Sequence, residues 1–221
     1  MKLIPPSPQH VVKSKSDEYF LYKWIEKDGV KDGIFVKWRR NYKGRRVIKL
    51  ICNYKNGVLN GEHIYYEPSK TIENYKNGKK HGKSESYYEN GQLRFIKEYK
   101  NGKLKEGDYE EYYSNGDLKN KYSINENGKY HGEVIDYHEN GQLSYIYKYD
   151  NGKLKEGDYE HFYNNGQVFF NLNVNENGKL HGKSETYHEN GQLSYIEEHE
   201  NDKLKEGDYE HFYDTGETLR K

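Results

Sequence analysis

The residues of this chain that could do chemistry recur along it, and the recurrence argues against most of that chemistry. Ten histidines and 36 acidic residues are enough to raise metal or acid–base sites. His81, His131 and His181, however, stand fifty residues apart in the same His-Gly step, which marks them as turn-shaping residues. His161 and His211 sit between aromatic positions, where a stacked ladder accounts for them better than a metal does. The triplet Glu106-Gly107-Asp108 returns at Glu156 and Glu206 without the dense oxygen-ligand spacing of a calcium loop, and reads as a solvated turn. No G-x-x-x-x-G-K-S/T loop, G-x-S-x-G elbow or H-E-x-x-H pair occurs. Cys52, the only cysteine, ends an apolar run from Val47 and reads as a packed strand residue; alone, it excludes an intrachain disulfide. We expect no catalysis, metal, cofactor or small-molecule substrate.

Binding is what remains. Tyr109, Glu111 and Tyr113, then Tyr159, His161 and Tyr163, then Tyr209, His211 and Tyr213 occupy alternate positions of three runs spaced by fifty residues. Tyrosine gives wide contact area at small entropic cost, and Glu111, Asp108 and Asp158 could meet basic groups of a protein partner. Stacking of the same rings across strands carries equal weight. A second candidate is Arg39, Arg40, Arg45 and Arg46, which would attract an anionic membrane surface or another acidic surface. Nucleic acid is disfavoured, because one basic patch without a recognised fold is a weak signal.

The elements that must position these residues follow from an internal repeat. Residues 138–163 and 188–213 are identical at 21 of 26 positions. The fifty-residue period splits into units of 24 and 26 residues opening at Asn77, Asn101, Asn127, Asn151, Asn177 and Asn201, with less regular units opening at Asn56 and Asp28. Each unit reads as two strands and two turns. Asn-Gly suits a two-residue type I′ hairpin turn, which needs positive φ at both central residues. Asn90-Gly91, Asn115-Gly116, Asn140-Gly141, Asn165-Gly166 and Asn190-Gly191 are expected at hairpin tips, and Asn77-Gly78, Asn101-Gly102 and their equivalents between hairpins. The 26-residue units carry one more residue, Lys-Glu-Gly in place of His-Gly, which calls for a bulge or a different turn. Five residues after each second Gly stands an aromatic: Trp38, Tyr66, Tyr87, Tyr112, Tyr137, Phe162, Tyr187 and Phe212, read as a structural stripe on one face.

Composition agrees with a thin sheet. Only 32% of residues are hydrophobic against 33% charged, yet 25 are tyrosine, so the chain should fold around shallow aromatic strips. Because both faces are partly aromatic and partly polar, a single sheet is favoured over a two-sheet sandwich. The fold class is all-β, tandem β-hairpin repeats forming one elongated, twisted antiparallel sheet or solenoid. Its expected divisions are a flexible N-terminal arm over 1–17, a capping strand over 18–27, and one array of about eight hairpins over 28–221, the last truncated. Net charge is zero, but residues 1–55 carry fourteen Lys/Arg against five Asp/Glu and residues 177–221 six against eleven. The field should run from basic to acidic. No apolar run at the start is long enough for a leader or membrane helix, and a cytoplasmic location is expected.

At this point the segments GKKHG (78–82), GKYHG (128–132) and GKLHG (178–182), each followed by a hairpin pattern, resemble MORN repeats, particularly the bacterial MORN-2 variant of YwqK-type antitoxin proteins. The resemblance covers about Asp28 to Leu219, with Lys-Glu-Gly replacing His-Gly in the longer units and a longer tip at Asn41–Gly44. It implies a row of hairpins acting in protein assembly, membrane-surface attachment or toxin neutralisation. The expected function is a non-catalytic scaffold that neutralises a toxin by direct binding, or else attaches to an anionic membrane or assembles other proteins. Choline-binding repeats also use aromatic hairpins, but rely on Gly-Trp pairs; neither Trp24 nor Trp38 follows a glycine.

Overall fold

The computed structural model describes residues 10–17, 19–67, 69–215 and 218–220, with the backbone course alone for 206–209 and 218–220. Among them there is no helix, and the chain divides into two compact units, Met1–Leu104 and Lys105–Lys221. The first holds β1 (His10–Ser16), β2 (Phe20–Lys27), β3 (Val30–Arg40), β4 (Arg46–Lys55), β5 (Val58–Tyr65), β6 (Thr71–Lys76), β7 (Lys79–Tyr87), β8 (Leu93–Lys100) and β9 (Lys103–Leu104). The second holds β10 (Gly107–Tyr112), β11 (Leu118–Ile124), β12 (Tyr130–Tyr137), β13 (Leu143–Asp150), β14 (Lys153–Leu154), β15 (Gly157–Phe162), β16 (Val168–Val174), β17 (Gly182–Tyr187), β18 (Leu193–Glu200), β19 (Lys203–Phe212) and β20 (Thr218–Arg220). In each unit strands pair antiparallel with their sequence neighbours, giving an open hairpin ladder.

Two turn chemistries occur, and Asn127-Gly128 and Asn177-Gly178, expected between hairpins, take the second of them, with positive φ at the glycine alone. Between hairpins, Asp28-Gly29, Asn56-Gly57, Asn77-Gly78, Asn101-Gly102 and Asn151-Gly152 have positive φ at both residues, as type I′ turns require. At the tips the type I′ expectation fails: Gly91, Gly116, Gly141, Gly166 and Gly191 have positive φ, but the asparagines before them do not. These are five-residue loops. At the first, the Tyr88 carbonyl accepts from Gly91 N–H and Tyr88 N–H donates to the Gln92 carbonyl. The reason is a local competitor: Asn90 Oδ1 accepts the Gln92 N–H at 3.0 Å, an Asx-turn that favours the longer loop. A register shift at the end of each such hairpin, as between Ser86 and Tyr87, absorbs the extra residue.

The loops then lock onto one another. Four of the type I′ turns place their Gly N–H on a carbonyl of the preceding hairpin: Gly57 on Lys31, Gly78 on Leu59, Gly102 on Lys80 and Gly152 on Tyr130. The tip asparagines do the same with side chains. Asn140 Nδ2 donates to the Asn164 carbonyl at 2.6 Å, Asn165 to Glu189 at 3.1 Å and Asn190 to Asp214 at 3.0 Å. Repeat-to-repeat coupling of this kind makes stability a sum of nearest-neighbour terms.

The extra residue of the longer units forms an interruption between β9 and β10, and again between β14 and β15. In both places a buried tyrosine four residues on closes it: Tyr109 Oη donates to the Lys105 carbonyl at 2.7 Å, and Tyr159 Oη to Lys155 at 2.6 Å. His81 Nδ1 accepts from Asn101 N–H across the turn, at a long 3.5 Å.

Of the segment expected to be an arm, residues 1–9 lie outside the described residues, and His10–Ser16 form β1, exposed throughout and paired with β2 over its whole length. The edge of β2 offers unpaired backbone groups, and a run of Val, Lys and Ser can extend to meet them. Glu18, at the start of the expected capping strand, is likewise outside the described residues.

Candidate partner-binding groove

The core lies on one face of each ladder. In the second unit cross-strand pairing aligns Tyr109, Tyr122 and Val134, and beyond them Tyr147 packs its ring 5.1 Å from that of Tyr159, which pairs with Leu172. Tyr159, Leu172 and Val174 form a buried cluster enclosed by Tyr147, Leu154, Phe170 and Leu180. Beside it His161 shares a 2.5 Å hydrogen bond with Tyr147 Oη and lies within 5.1 Å of the Tyr145 ring. Burial pushes the Tyr147 hydroxyl up to about 12 and lowers the His161 imidazole.

Part of the expected tyrosine surface is buried by this packing. Tyr109 and Tyr159 are 7% and 5% exposed, so they are core rather than contact residues. Tyr113 and Tyr163 are half-buried and donate to the Tyr137 and Tyr187 carbonyls one repeat on, at 2.7 and 2.8 Å. Glu111 and His161 are half-buried in the same face, while His211 is exposed with its ring against Tyr195. Tyr213 is exposed, and the Tyr209 side chain lies outside the described residues. Rings spaced to touch a partner are equally spaced to touch each other, and the neighbouring strands are nearer.

The opposite face of the second unit holds an open groove of about 930 Å³. Leu143 and Ile146 of β13 and Phe162 of β15 give it an apolar lining, and Ile135, which pairs with Ile146, is buried beside them. Around these stand Glu133, Glu156, Asp158, Glu160 and Glu185 against Lys148 and Lys183, five carboxylates to two ammonium groups. Some are held by neighbours. Asp158 accepts from Asn173 Nδ2 at 2.7 Å, and Glu185 accepts from Tyr187 Oη at 2.5 Å and Asn171 Nδ2 at 3.0 Å. Those two bonds hold the Glu185 carboxyl below its usual range, while the bond to Glu185, with burial, pushes the Tyr187 hydroxyl up to about 12. Glu133 and Lys148 face each other across the strands at 4.0 Å. Glu156 and Glu160 are exposed, with no ion pair among the described residues. Sequence reasoning named Asp158 as an acid able to meet a basic group and Phe162 as part of a stripe, but not the groove. It depends on which side chains of five separate strands share a face.

The four arginines come together at the β3–β4 hairpin. Arg40 pairs directly with Arg46 and Arg39 with Val47. Asn41 shapes the tip between them, its Oδ1 accepting from Lys43 and Arg45 N–H at 3.0 and 2.9 Å, and leaves Tyr42 92% exposed at the apex. Among the described residues no cluster of three or more His, Cys, Asp or Glu has metal-binding geometry, and no helix is long and apolar enough to cross a membrane.

Comparison with known proteins follows these hairpins. Residues 80–101, 105–126, 130–151, 155–176 and 180–201 each match the family model described as the MORN repeat variant, one hairpin with its tip per match. The turns Asp28-Gly29 and Asn56-Gly57 of the preceding hairpins have the same type I′ geometry. No curated protein sequence matches the chain. Across residues 80–201 the chain therefore carries five tandem MORN-2 repeats, the units of a repeat scaffold that binds proteins or membranes.

Proposed function

We propose that the chain is a non-catalytic scaffold that binds a protein partner through the groove of its second unit, and that this partner is a toxin domain it neutralises. The groove carries the binding reading: an apolar lining of Leu143, Ile146 and Phe162 ringed by five carboxylates against two ammonium groups is the arrangement of a desolvated contact with a charged rim. The toxin reading rests on the likeness of residues 78–82, 128–132 and 178–182 to YwqK-type repeats. Co-expression with a toxin encoded beside this gene tests it, with growth rescue and a co-purifying complex expected. Toxicity unchanged and no complex would discard the toxin. A complex that survives Phe162→Ala with Glu160→Lys would move the site away from the groove.

The β3–β4 hairpin favours a second reading, attachment to an anionic membrane surface, because four arginines and an exposed tyrosine stand together there. Vesicle sedimentation that ignored both anionic lipid content and salt would count against it.

A further inference from the structure

We propose that the basic β3–β4 hairpin of one copy of the chain docks in the acidic groove of a second copy, joining copies head to tail. The inference rests on the groove being a protein-binding surface and names an occupant for it. Two observed surfaces carry it, each electrostatically incomplete.

The hairpin gathers Arg39, Arg40, Lys43, Arg45 and Arg46, all exposed. Arg40 and Arg46 are a direct cross-strand pair, an arrangement in which like charges destabilise the hairpin that holds them. None of the four arginines has an ion pair among the described residues, so no ion pair among them offsets that repulsion. An acidic counterpart would. The groove is the reverse case: its seven charged residues sum to three negative charges, and Glu156 and Glu160 have no ion pair among the described residues.

The shapes of the two charge patterns also correspond. The hairpin carries an aromatic apex, Tyr42, flanked by guanidinium groups. The groove carries an apolar strip, Leu143, Ile146 and Phe162, flanked by carboxylates. Arginine forks match carboxylates in two-pronged geometry, and a tyrosine ring brings contact area with little entropy to lose. Net charge is zero, so copies meet without overall repulsion.

A hairpin tip in a groove of this volume buries less than the roughly 1,200–2,000 Å² of a stable interface, so the contact is weak and salt-sensitive. The two surfaces differ, so the contact is heterologous and can extend from copy to copy.

Sedimentation velocity of the full-length chain over a dilution series, at low and at high salt, reads the association. Wild type should form concentration-dependent oligomers at low salt that dissociate at high salt. The doubly substituted Arg40→Glu/Arg46→Glu chain, and separately the Glu156→Lys/Glu160→Lys chain, should stay monomeric. An equimolar mixture of the two should recover association, because the unaltered hairpin of the groove variant meets the unaltered groove of the hairpin variant. That recovery also shows that both variants are folded. A wild type monomeric at every concentration, a hairpin variant that associates as wild type does, or a mixture that stays monomeric each overturns the proposal. A monomeric wild type whose binding to anionic vesicles is lost with Arg40→Glu/Arg46→Glu would give the hairpin to a lipid surface instead. A monomeric wild type that still binds another protein through the groove would leave the proposed function standing and remove only this occupant.

Discussion

The two units fill the same structural address with different chemistry. In the first, the row that pairs Cys52, His63, Glu73 and Ser84 across four strands is buried and mostly polar. In the second, the buried row is Tyr109, Tyr122, Tyr159 and Leu172, with Val174 behind it. Both rows hang on the same turns and antiparallel ladder. The difference teaches that the backbone is set by the turns and their mutual hydrogen bonds, while the row needs only to be filled and satisfied. The aromatic row satisfies itself by ring packing and by hydroxyls that reach backbone carbonyls. The polar row needs partners: Glu73 accepts from Tyr75 Oη at 2.6 Å and meets Lys80 Nζ at 2.6 Å, whereas both ring nitrogens of His63 lack a partner.

The largest test removes volume from the aromatic row. Tyr159→Ala should cost about 3–5 kcal/mol in urea unfolding, the range for deleting a buried aromatic ring. The corresponding change in the polar row behaves differently. His63→Phe, an apolar ring of similar breadth between Tyr65 and Tyr75, should be neutral or stabilising, because it removes two polar atoms that lack partners. Equal destabilisation by both substitutions would erase the distinction between the rows.

Turn glycines give the next effect. Gly178 has φ of +72°, and a Cβ there would stand 2.9 Å from the Leu154 carbonyl oxygen. Gly78 has φ of +76° with nothing within 4 Å of the same position. Gly78→Ala should therefore cost about 1 kcal/mol of left-handed strain, and Gly178→Ala more than about 2 kcal/mol, because backbone must also move. Thermal melting of the two variants separates strain from crowding.

Acid distinguishes the rows more gently. Burial lowers the His63 pKa from its ordinary 6.5, with Glu73 opposing the shift and Lys80 adding to it. The folded state then resists a proton that the unfolded chain accepts, so stability present above pH 6.5 is lost as pH falls below it toward the folded value. His161 in the second unit is lowered by burial in the same direction. Unfolding of wild type between pH 7 and 5 should show a fall that His63→Phe reduces and does not abolish. An unchanged slope in the variant would show that His63 is solvated.

Much of this was legible before any coordinates. The repeat, the hairpins, the antiparallel all-β class and the division between Asn-Gly steps follow from glycine and asparagine spacing, because positive φ is a local requirement that local residues reveal. The tip geometry was misjudged for a local reason too: Asn90 and its equivalents have a side chain that captures the N–H two residues on, and the same dipeptide then serves a different loop. The proposed contact surface was not legible. Tyr109 and Tyr159 have the composition of a binding face, and only the register with Tyr122 and Leu172 shows that their rings are spent on the core. The groove needs residues from β12, β13, β15, β16 and β17, a coincidence that a sequence pattern of period two leaves open at every bulge.

The smallest effect probes the coupling that unites the repeats. Asn140→Ala removes an Nδ2 bond to the Asn164 carbonyl and an Oδ1 bond from Gln142 N–H, both exposed, and should cost about 0.5–1 kcal/mol. Asn165 makes the same pair of bonds one hairpin on, to Glu189 and from Gln167. The acceptor of the first asparagine is thus the residue beside the second. If each tip only ties its own loop to the next, the double variant costs the sum of the singles in urea unfolding. If an ordered tip is what holds the neighbouring carbonyl in place, the double variant costs less than the sum, since the first loss already loosens the second bond. Sub-additive costs at the tips, with additive ones between Tyr159 and the distant Gly78, would place the nearest-neighbour coupling in the loops rather than in the buried row.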